Sequence, residues 1–142
     1  MTKLRRLFSF RGRTSRLGFW RINIVCTLVG AASWCGGLLL AISLDIGVLS
    51  ALALLGVTPA LLISVATQCR RLHDRNKSGW WLLLYTVAPL IVAIADRGSA
   101  PALPLLLLVA LALAVWGFID MGLRAGVRGS NRYGPDPAGA PV

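Results

Sequence analysis

Acid–base and metal-binding side chains are scarce in this sequence. It contains five aspartates, no glutamate and one histidine among 142 residues. A zinc site requires three or four ligands, and a hydrolytic triad requires a nucleophile beside a histidine and a carboxylate. The adjacent His73 and Asp74 form neither arrangement on their own. The sequence therefore predicts no catalytic residue, no metal and no cofactor, and it argues against an enzyme.

Cysteine is nearly as scarce, with three residues that cannot all pair with one another. Disulfide frameworks belong to small secreted domains that lack a hydrophobic core. This chain has apolar residues in excess, and Cys26, Cys35 and Cys69 lie within or at the end of apolar runs. We expect all three to act as small apolar side chains.

Charged residues are too few to cover a soluble surface. They make up 14% of the chain, against about 25% in an ordinary soluble domain, whereas 56% of the residues are hydrophobic. The net charge of +10 would indicate nucleic acid as the partner of a soluble protein. In a membrane protein, however, basic residues collect beside the cytoplasmic ends of the spans. We therefore expect no nucleic-acid partner.

Four apolar runs approach or exceed the roughly 20 helical residues that cross a bilayer. They cover residues 22–44, 46–67, 80–95 and 102–123. Polarity does not alternate along them, as it would in the strands of a membrane barrel. Backbone groups in hydrocarbon must then be satisfied within helices. The sequence predicts one all-α integral membrane domain over residues 1–142, folded as a four-transmembrane-helix bundle.

The distribution of basic residues predicts the orientation of these spans. Fourteen of the fifteen Lys and Arg residues lie in segments 1–21, 68–79 and 124–142. The other two connections contain only Asp45, and Asp96 with Arg97. By the positive-inside rule the three basic segments are cytoplasmic. We therefore predict that the N and C termini both face the cytoplasm.

Small residues and prolines within the runs predict helix contacts and bends. The small residues that recur every four positions are Ser33, Gly37 and Ala41, and Ala110 and Ala114. Small side chains let membrane helices approach closely, although Gly and Ala are also common in spans without such a role. Pro59 and Pro89 each remove a helical hydrogen bond, which predicts a bend in the second and third spans.

The segment from Phe8 to Trp20 mixes aromatic and basic side chains. Aromatic rings settle at headgroup level, while guanidinium groups meet lipid phosphates. Arg13, Arg16 and Trp20 are therefore predicted to be interfacial anchors. The alternative is an element that docks a specific lipid or partner.

The connection between the second and third runs, residues 70–81, is the densest polar cluster in the chain. Its polar side chains include Arg70, Arg71, His73, Asp74 and Lys77. Trp80 and Trp81 mark the level at which the third span enters the membrane. We favour a structural role for Asp74, accepting from a nearby arginine or capping a backbone, over catalysis with His73 as a base.

The segment that follows the fourth run, residues 126–137, is rich in Gly, Asn, Asp and Pro and predicts turns. It contains Asn131, Arg132, Tyr133 and Asp136. It can present N–H groups and a guanidinium to a phosphate or carboxylate, or fold back onto the 70–81 cluster, which we favour. Nearby, Asp120 and Arg124 are four residues apart and are predicted to pair on one helix face.

Together these motifs resemble a prokaryotic membrane family known as domain of unknown function 805. The resemblance rests on Gly12-Arg13-Thr14-Ser15-Arg16 with Trp20, Arg71-Leu72-His73-Asp74 with Ser78-Gly79-Trp80-Trp81, and Asn131-Arg132-Tyr133-Gly134-Pro135-Asp136-Pro137. It covers about the whole chain. Arg75-Asn76 depart from the family pattern, which more often has a small or apolar residue followed by Gly. The resemblance implies a bacterial inner (plasma) membrane bundle and no established activity.

We expect a non-enzymatic protein whose cytoplasmic polar residues bind anionic lipid headgroups or a partner protein. The predicted binding residues are Arg70, Arg71, His73, Asp74, Lys77, Asn131, Arg132, Tyr133 and Asp136. A homo-oligomer or a complex with another membrane protein is also compatible with the sequence. The alternatives are a small transporter or channel component, and an enzyme that acts on a phosphorylated lipid. The span interiors lack the charged residues that ion pathways usually require.

Overall fold

Helices make up the regular structure of this chain in a computed structural model that describes residues 3–44, 47–95, 103–137 and 139. The helices are α1 (Lys3–Leu7), α2 (Arg16–Leu44), α3 (Gly47–Asp74), α4 (Ala88–Ala95) and α5 (Leu103–Phe118). Five-residue π-helical turns precede α4 at Leu83–Val87 and follow α5 at Ile119–Leu123. These described residues contain no strand, so the all-α prediction is confirmed for them. The predicted connections at Asp45, and at Asp96 and Arg97, lie outside them.

Two helical stretches in the described part are long and apolar enough to cross a membrane, Arg16–Leu39 and Leu105–Leu123. Their large apolar side chains are exposed, with Leu39 67% and Leu105 65% accessible. Conversely, the side chains of Arg71 and Asp120 are completely buried. A soluble protein shows the opposite distribution, because water stabilises charged groups at the surface. The exposed apolar surface requires an apolar surrounding such as lipid.

The first compact unit comprises Met1–Phe10 and Leu17–Thr67, and in it α2 packs against α3 through small residues. Gly30 lies against Ala60, and Gly56 lies so close to Ser33 that a side chain at 56 would collide with the hydroxyl. Gly37 is also buried, whereas the side chain of Ala41 lies outside the described part. Close approach at small residues, predicted for Ser33, is thus present in the structure.

One polar contact accompanies this packing of α2 and α3. The Ser64 hydroxyl donates to Asn23 Oδ1 at 2.6 Å, and Asn23 Nδ2 donates to the Phe19 carbonyl at 2.9 Å. The Asn23 amide thus has a partner for its oxygen and for its nitrogen, which lowers the cost of placing an amide there.

The second compact unit comprises Arg11–Arg16 and Gln68–Val142. In this unit, α4 and the π-helical turn that precedes it pack on α5. Gly117 provides the close approach, because an added Cβ would lie 2.6 Å from Tyr85 Cβ. The π-helical turn at Leu83–Val87 lies just before Pro89, which has no N–H to donate to the Tyr85 carbonyl. Helical winding therefore departs from α geometry near Pro89, while the predicted bend itself stays a prediction.

Helix α3 extends to Asp74, so residues 68–74, predicted as part of a connection, form its last two turns. The helix then ends in a Schellman motif: Lys77 N–H donates to the Leu72 carbonyl at 2.9 Å, and Asn76 N–H to the His73 carbonyl at 3.0 Å. Asn76 has the left-handed conformation that this motif requires, with φ of 58°. The cap ends the helix directly after the turn that carries Arg71, His73 and Asp74.

Candidate functional site

Asp74, in the last turn of α3, lies between two buried arginines. Its Oδ2 accepts from Arg71 Nη1, and its Oδ1 lies 3.0 Å from Arg13 Nε and 2.9 Å from Arg13 Nη2. The three side chains are at most 3% exposed. A carboxylate can be buried only when hydrogen-bonded cations compensate for its lost hydration. The predicted structural role of Asp74, accepting from a nearby arginine, is present in the structure.

Arg71 connects three segments of the second unit through its remaining donors. Its Nε donates to the Met121 carbonyl at 2.8 Å, and its Nη1 lies 3.5 Å from the Thr14 carbonyl. Nη2 donates to the carbonyl of Arg124. Burial lowers the pKa of the Arg71 guanidinium, and the neighbouring Asp74 opposes that shift. The group stays charged, because a guanidinium ionises far above neutral pH.

Arg13 joins the N-terminal segment to the C-terminal one. Besides binding Asp74, it donates to the carbonyls of Val127, Gly129 and Gly134. Its side chain is 1% exposed. We expected Arg13 to face lipid phosphates, and this prediction is wrong: protein acceptors satisfy the guanidinium and shield it from the surroundings. The guanidinium is planar and carries five N–H donors, so an arginine can bind several carbonyls at once.

The other predicted anchors are more accessible. Arg16 is exposed, and its Nη1 donates to the Leu123 carbonyl at 3.0 Å. Trp20 is half-buried in the first unit, where its ring meets Phe19 edge to face at 5.6 Å. Both positions remain compatible with the interfacial role predicted for them.

Asp120 is the centre of a second group of ion pairs. Its side chain is fully buried, with Oδ2 2.7 Å from Lys77 Nζ and Oδ1 3.3 Å from Arg75 Nη2. Arg124 Nη1 lies 3.5 Å from Oδ1, so the predicted i, i+4 pair is present. Lys77 also donates to the Tyr85 hydroxyl at 2.9 Å. The acid at the end of α5 is thereby compensated by three cations.

Lys77 remains protonated in this arrangement. Burial lowers the pKa of its ammonium group, but hydrogen bonds to Asp120 and Tyr85 outweigh that effect and raise the pKa overall. The Nζ atom also lies 4.6 Å from the centre of the Trp81 ring, a geometry that stabilises a cation. We call the two groups together the buried ion network. Its members are Arg13, Arg71, Asp74, Arg75, Lys77 and Asp120.

His73 is held on both of its nitrogens and on one face. Nδ1 lies 3.2 Å from the Gly12 carbonyl, so this nitrogen carries the proton, and Nε2 lies 3.6 Å from Cys69 Sγ. The Tyr133 ring stacks on the imidazole at 3.9 Å and 5°. Burial lowers the pKa of His73, and the charge of Arg132 adds to that effect. The imidazole is therefore neutral near pH 7.

The Cys69–His73 contact resembles a nucleophile and its base in spacing, but the electrostatics oppose that use. Burial raises the pKa of the Cys69 thiol, and Arg70 only partly offsets the effect. An activated thiol requires the opposite shift. Arg70 itself is buried, and its carbonyl accepts from the Thr14 N–H at 3.3 Å. This geometry favours packing over covalent catalysis.

The C-terminal segment folds back onto the end of α3, as favoured from the sequence. Asn131 Nδ2 donates to the His73 carbonyl at 2.9 Å, and Arg132 Nη2 to the Asn76 carbonyl at 3.1 Å. Within the segment, Asp136 Oδ2 accepts from the Gly129 N–H at 3.0 Å. The motif residues at 131–136 thus stabilise a turn and its attachment rather than leaving their polar groups open.

Residues 7–135 match the sequence profile of a family described as "Protein of unknown function (DUF805)". The chain belongs to this family. Among its relatives in Escherichia coli K12, "Uncharacterized protein YiiR" is 31% identical, with 96% of this chain and 90% of the relative covered. "Inner membrane protein YhaI" is 30% identical, covering 96% and 92%, and "Inner membrane protein YhaH" is 28% identical, covering 94% and 91%. No solved structure matches the chain.

The motifs were sufficient to predict the resemblance to DUF805, but they did not predict several of the contacts that residues near them make. Sequence analysis did not single out Arg75, whose Nη1 donates to the Ala125 carbonyl, or Tyr85, which binds Lys77. An arginine directly after the Arg-Leu-His-Asp motif was noticed only as a departure from the family pattern. The second departure, Asn76, occupies a left-handed position, which Asn tolerates better than most residues apart from Gly.

Proposed function

We propose that this chain is a non-enzymatic inner-membrane protein that crosses the bilayer four times, with both termini in the cytoplasm. We further propose that exposed arginines of its second unit bind the phosphates of anionic lipids. These arginines are Arg11, Arg16, Arg124, Arg128 and Arg132. We call them the arginine rim: they are exposed residues of the same segments that form the buried ion network.

Contacts among the three basic segments support the topology. Arg13 of the first segment binds Asp74 of the second and Val127 of the third. Segments in direct contact lie on the same side of a membrane, so an even number of crossings separates each pair. The excess of Lys and Arg in these segments supports the cytoplasm as that side.

The balance of charge within the second unit carries the proposal of lipid binding. Its described residues include ten Lys and Arg side chains and three aspartates. Arg13 and Arg71 neutralise Asp74, while Arg75, Lys77 and the rim residue Arg124 contact Asp120. Ten cations against three carboxylates give the described part of the unit a net positive charge, and the exposed rim arginines carry part of it. A cation at an anionic membrane surface gains about 1 kcal/mol, so lipid phosphates are suitable counterions.

The buried members of the predicted binding set have a different role in this proposal. Arg70, Arg71 and Asp74 are inaccessible to a headgroup. They stabilise the turns that present the rim, and Asn131 and Tyr133 attach the C-terminal segment to His73. Ligand contact is therefore assigned to Arg128 and Arg132 rather than to Arg71.

Native mass spectrometry of the purified protein with added phosphatidylglycerol tests lipid binding. The double variant Arg128→Gln/Arg132→Gln should bind less phosphatidylglycerol, whereas Arg128→Lys should bind as the wild type does because it keeps the charge. Ser130→Gln, an uncharged change in the same exposed turn, serves as the matched control. Unchanged lipid binding in the double variant would show that the proposal is wrong, and a co-purifying protein lost from that variant would favour a protein partner instead.

The topology has its own test. Single cysteines at exposed Ser130 and in the N-terminal segment, introduced into a chain without Cys26, Cys35 and Cys69, can be labelled in spheroplasts with a membrane-impermeant maleimide. Both should react only after the membrane is permeabilised. Labelling of either position in intact spheroplasts would contradict a cytoplasmic location of that terminus.

A further inference from the structure

An apolar slot lies in the first compact unit, between the end of α1 and the packed helices α2 and α3. Its volume is about 260 Å³. The lining residues are Leu7, Arg21, Ile22, Val25, Cys26 and Ile63. All of them except Arg21 are apolar or weakly polar. The lining is almost entirely apolar, so Arg21, an exposed residue, contributes its hydrocarbon stem to the wall. An apolar wall with a cation beside it is an arrangement suited to an amphiphile.

Arg21 and Val25 are four residues apart in α2, as are Ile22 and Cys26, so two rows of side chains run along one face of the helix. The Cα atoms of Arg21 and Val25 are about 6 Å apart along the helix axis, at 1.5 Å per residue. A long arginine side chain packs its hydrocarbon stem on apolar neighbours and keeps its charged end accessible. A ligand in the slot would therefore have apolar side chains along its length and an exposed cation beside it.

The exposed charges of the first unit would be complemented by an anionic ligand. Arg5, Arg6 and Arg21 are exposed, and the described residues of this unit include no Asp or Glu. A second copy of this chain would bring the same positive charges to the slot, which disfavours self-association there. The slot is also slightly smaller than the roughly 300 Å³ at which sites for drug-sized ligands begin, which suits one hydrocarbon chain better than a helix.

We propose that this slot binds an anionic phospholipid, with its phosphate at Arg21 and the upper part of one acyl chain along Ile22, Val25 and Ile63. The site differs from the arginine rim in its residues and in the part of the lipid it recognises. It rests on the proposed function for the placement of the chain in a membrane, and both sites take the phosphate of an anionic lipid. The rim binds headgroups through charge alone, whereas this site holds a headgroup and a chain together.

Photocrosslinking tests this site in the full-length protein reconstituted into phosphatidylethanolamine vesicles. The probe is phosphatidylglycerol that carries a diazirine near the start of one acyl chain, and the same acyl chains on phosphatidylcholine provide the zwitterionic comparison. Mass spectrometry of the digested protein should find the phosphatidylglycerol label on peptides containing Ile22, Val25 or Ile63. Arg21→Gln should lower that labelling about fivefold, the effect of one cation at an anionic surface, and Arg21→Lys should restore most of it.

Matched variants distinguish binding in the slot from non-specific labelling and from binding at the arginine rim. Val25→Trp should fill the slot and abolish the label, whereas Leu39→Trp, the same kind of change at an exposed position of α2 outside the slot, should not. Arg128→Gln removes a rim charge and should leave slot labelling unchanged. Equal labelling by both lipids, or labelling that survives Val25→Trp in a folded protein, would overturn the site.

Discussion

Arg13 and Asp74 are 61 residues apart in the sequence, yet Arg13 Nη2 lies 2.9 Å from Asp74 Oδ1 in an environment that almost excludes solvent. This pair joins the segment before α2 to the end of α3. Arg71 binds the other oxygen of the same carboxylate. The strongest electrostatic contacts of the second unit therefore hold its segments to one another.

Removing one member of this buried group should destabilise the fold strongly. Arg71→Ala leaves Asp74 without one of its two cations, and breaking a buried pair typically costs about 3–5 kcal/mol. Thermal unfolding of the detergent-solubilised protein should show a clear fall in Tm. Arg128→Ala removes an exposed arginine and should change stability by no more than about 0.5 kcal/mol. Equal effects of the two variants would contradict the structural role of Arg71.

Gly126 is required for the approach of the C-terminal segment to α3. A Cβ at this position would collide with the Asp74 carboxylate, which cannot move because two arginines hold it. Gly126→Ala should lower the free energy of unfolding and loosen the turn. The matched control is Gly36→Ala in α2, where a Cβ meets nothing within 4 Å. Since Ala is favoured over Gly by about 1 kcal/mol inside a helix, that variant should be neutral or stabilising.

Hydrogen exchange measured by mass spectrometry can locate the effect of Gly126→Ala. Peptides covering residues 126–137 should exchange faster in the variant, because the Val127 N–H loses its 2.9 Å bond to the Asp74 carbonyl. Peptides from α2 should be unchanged. Faster exchange that is confined to α2 would show that the collision is relieved without detaching the C-terminal segment.

Asn76 should tolerate Gly and resist Ala. Its φ of 58° belongs to the left-handed region, where a Cβ-bearing residue other than Asn or Asp costs roughly 1–2 kcal/mol. Its carbonyl accepts from Arg132, and both replacements keep that backbone group. Asn76→Gly should therefore match the wild type in Tm, while Asn76→Ala lowers it. If both variants were equally stable, the Schellman motif would contribute little to the end of α3.

The sequence was sufficient to predict the helices and the grouping of the basic segments. It was not sufficient to predict which arginines are buried and which are exposed. Apolar runs and the distribution of arginines predicted all-α structure, because burial in hydrocarbon leaves the backbone little choice. Arg16 and Arg13 looked alike as interfacial anchors, yet one is exposed and the other is buried. Which arginine is buried depends on Asp74 and on several carbonyls of the C-terminal segment, all distant in the sequence, and no local pattern encodes these contacts.

Local spacing likewise predicted only part of the Asp120 group. Arg124 follows Asp120 by one helical turn, so the pair could be predicted from the 3.6-residue period. Arg75 and Lys77 lie in the turn after α3, more than 40 residues before Asp120, so only the folded chain brings them to it. The extension of α3 to Asp74 was also hidden, because the helix continues past the change from apolar to polar residues at 67.

The stability of the protein should depend on pH through His73, the one histidine of the chain. Burial lowers its pKa below the ordinary value of 6.5. Above pH 6.5 the imidazole is neutral in both the folded and the unfolded chain, so its contribution to stability is constant. As the pH falls below 6.5 the unfolded chain takes up a proton first, and the free energy of unfolding should decrease until the lowered folded pKa is reached. Measuring Tm between pH 8 and 5 in one detergent checks this slope, and His73→Phe, which keeps a ring to stack on Tyr133, should flatten it. An unaltered slope in His73→Phe would assign the pH dependence to the aspartates instead.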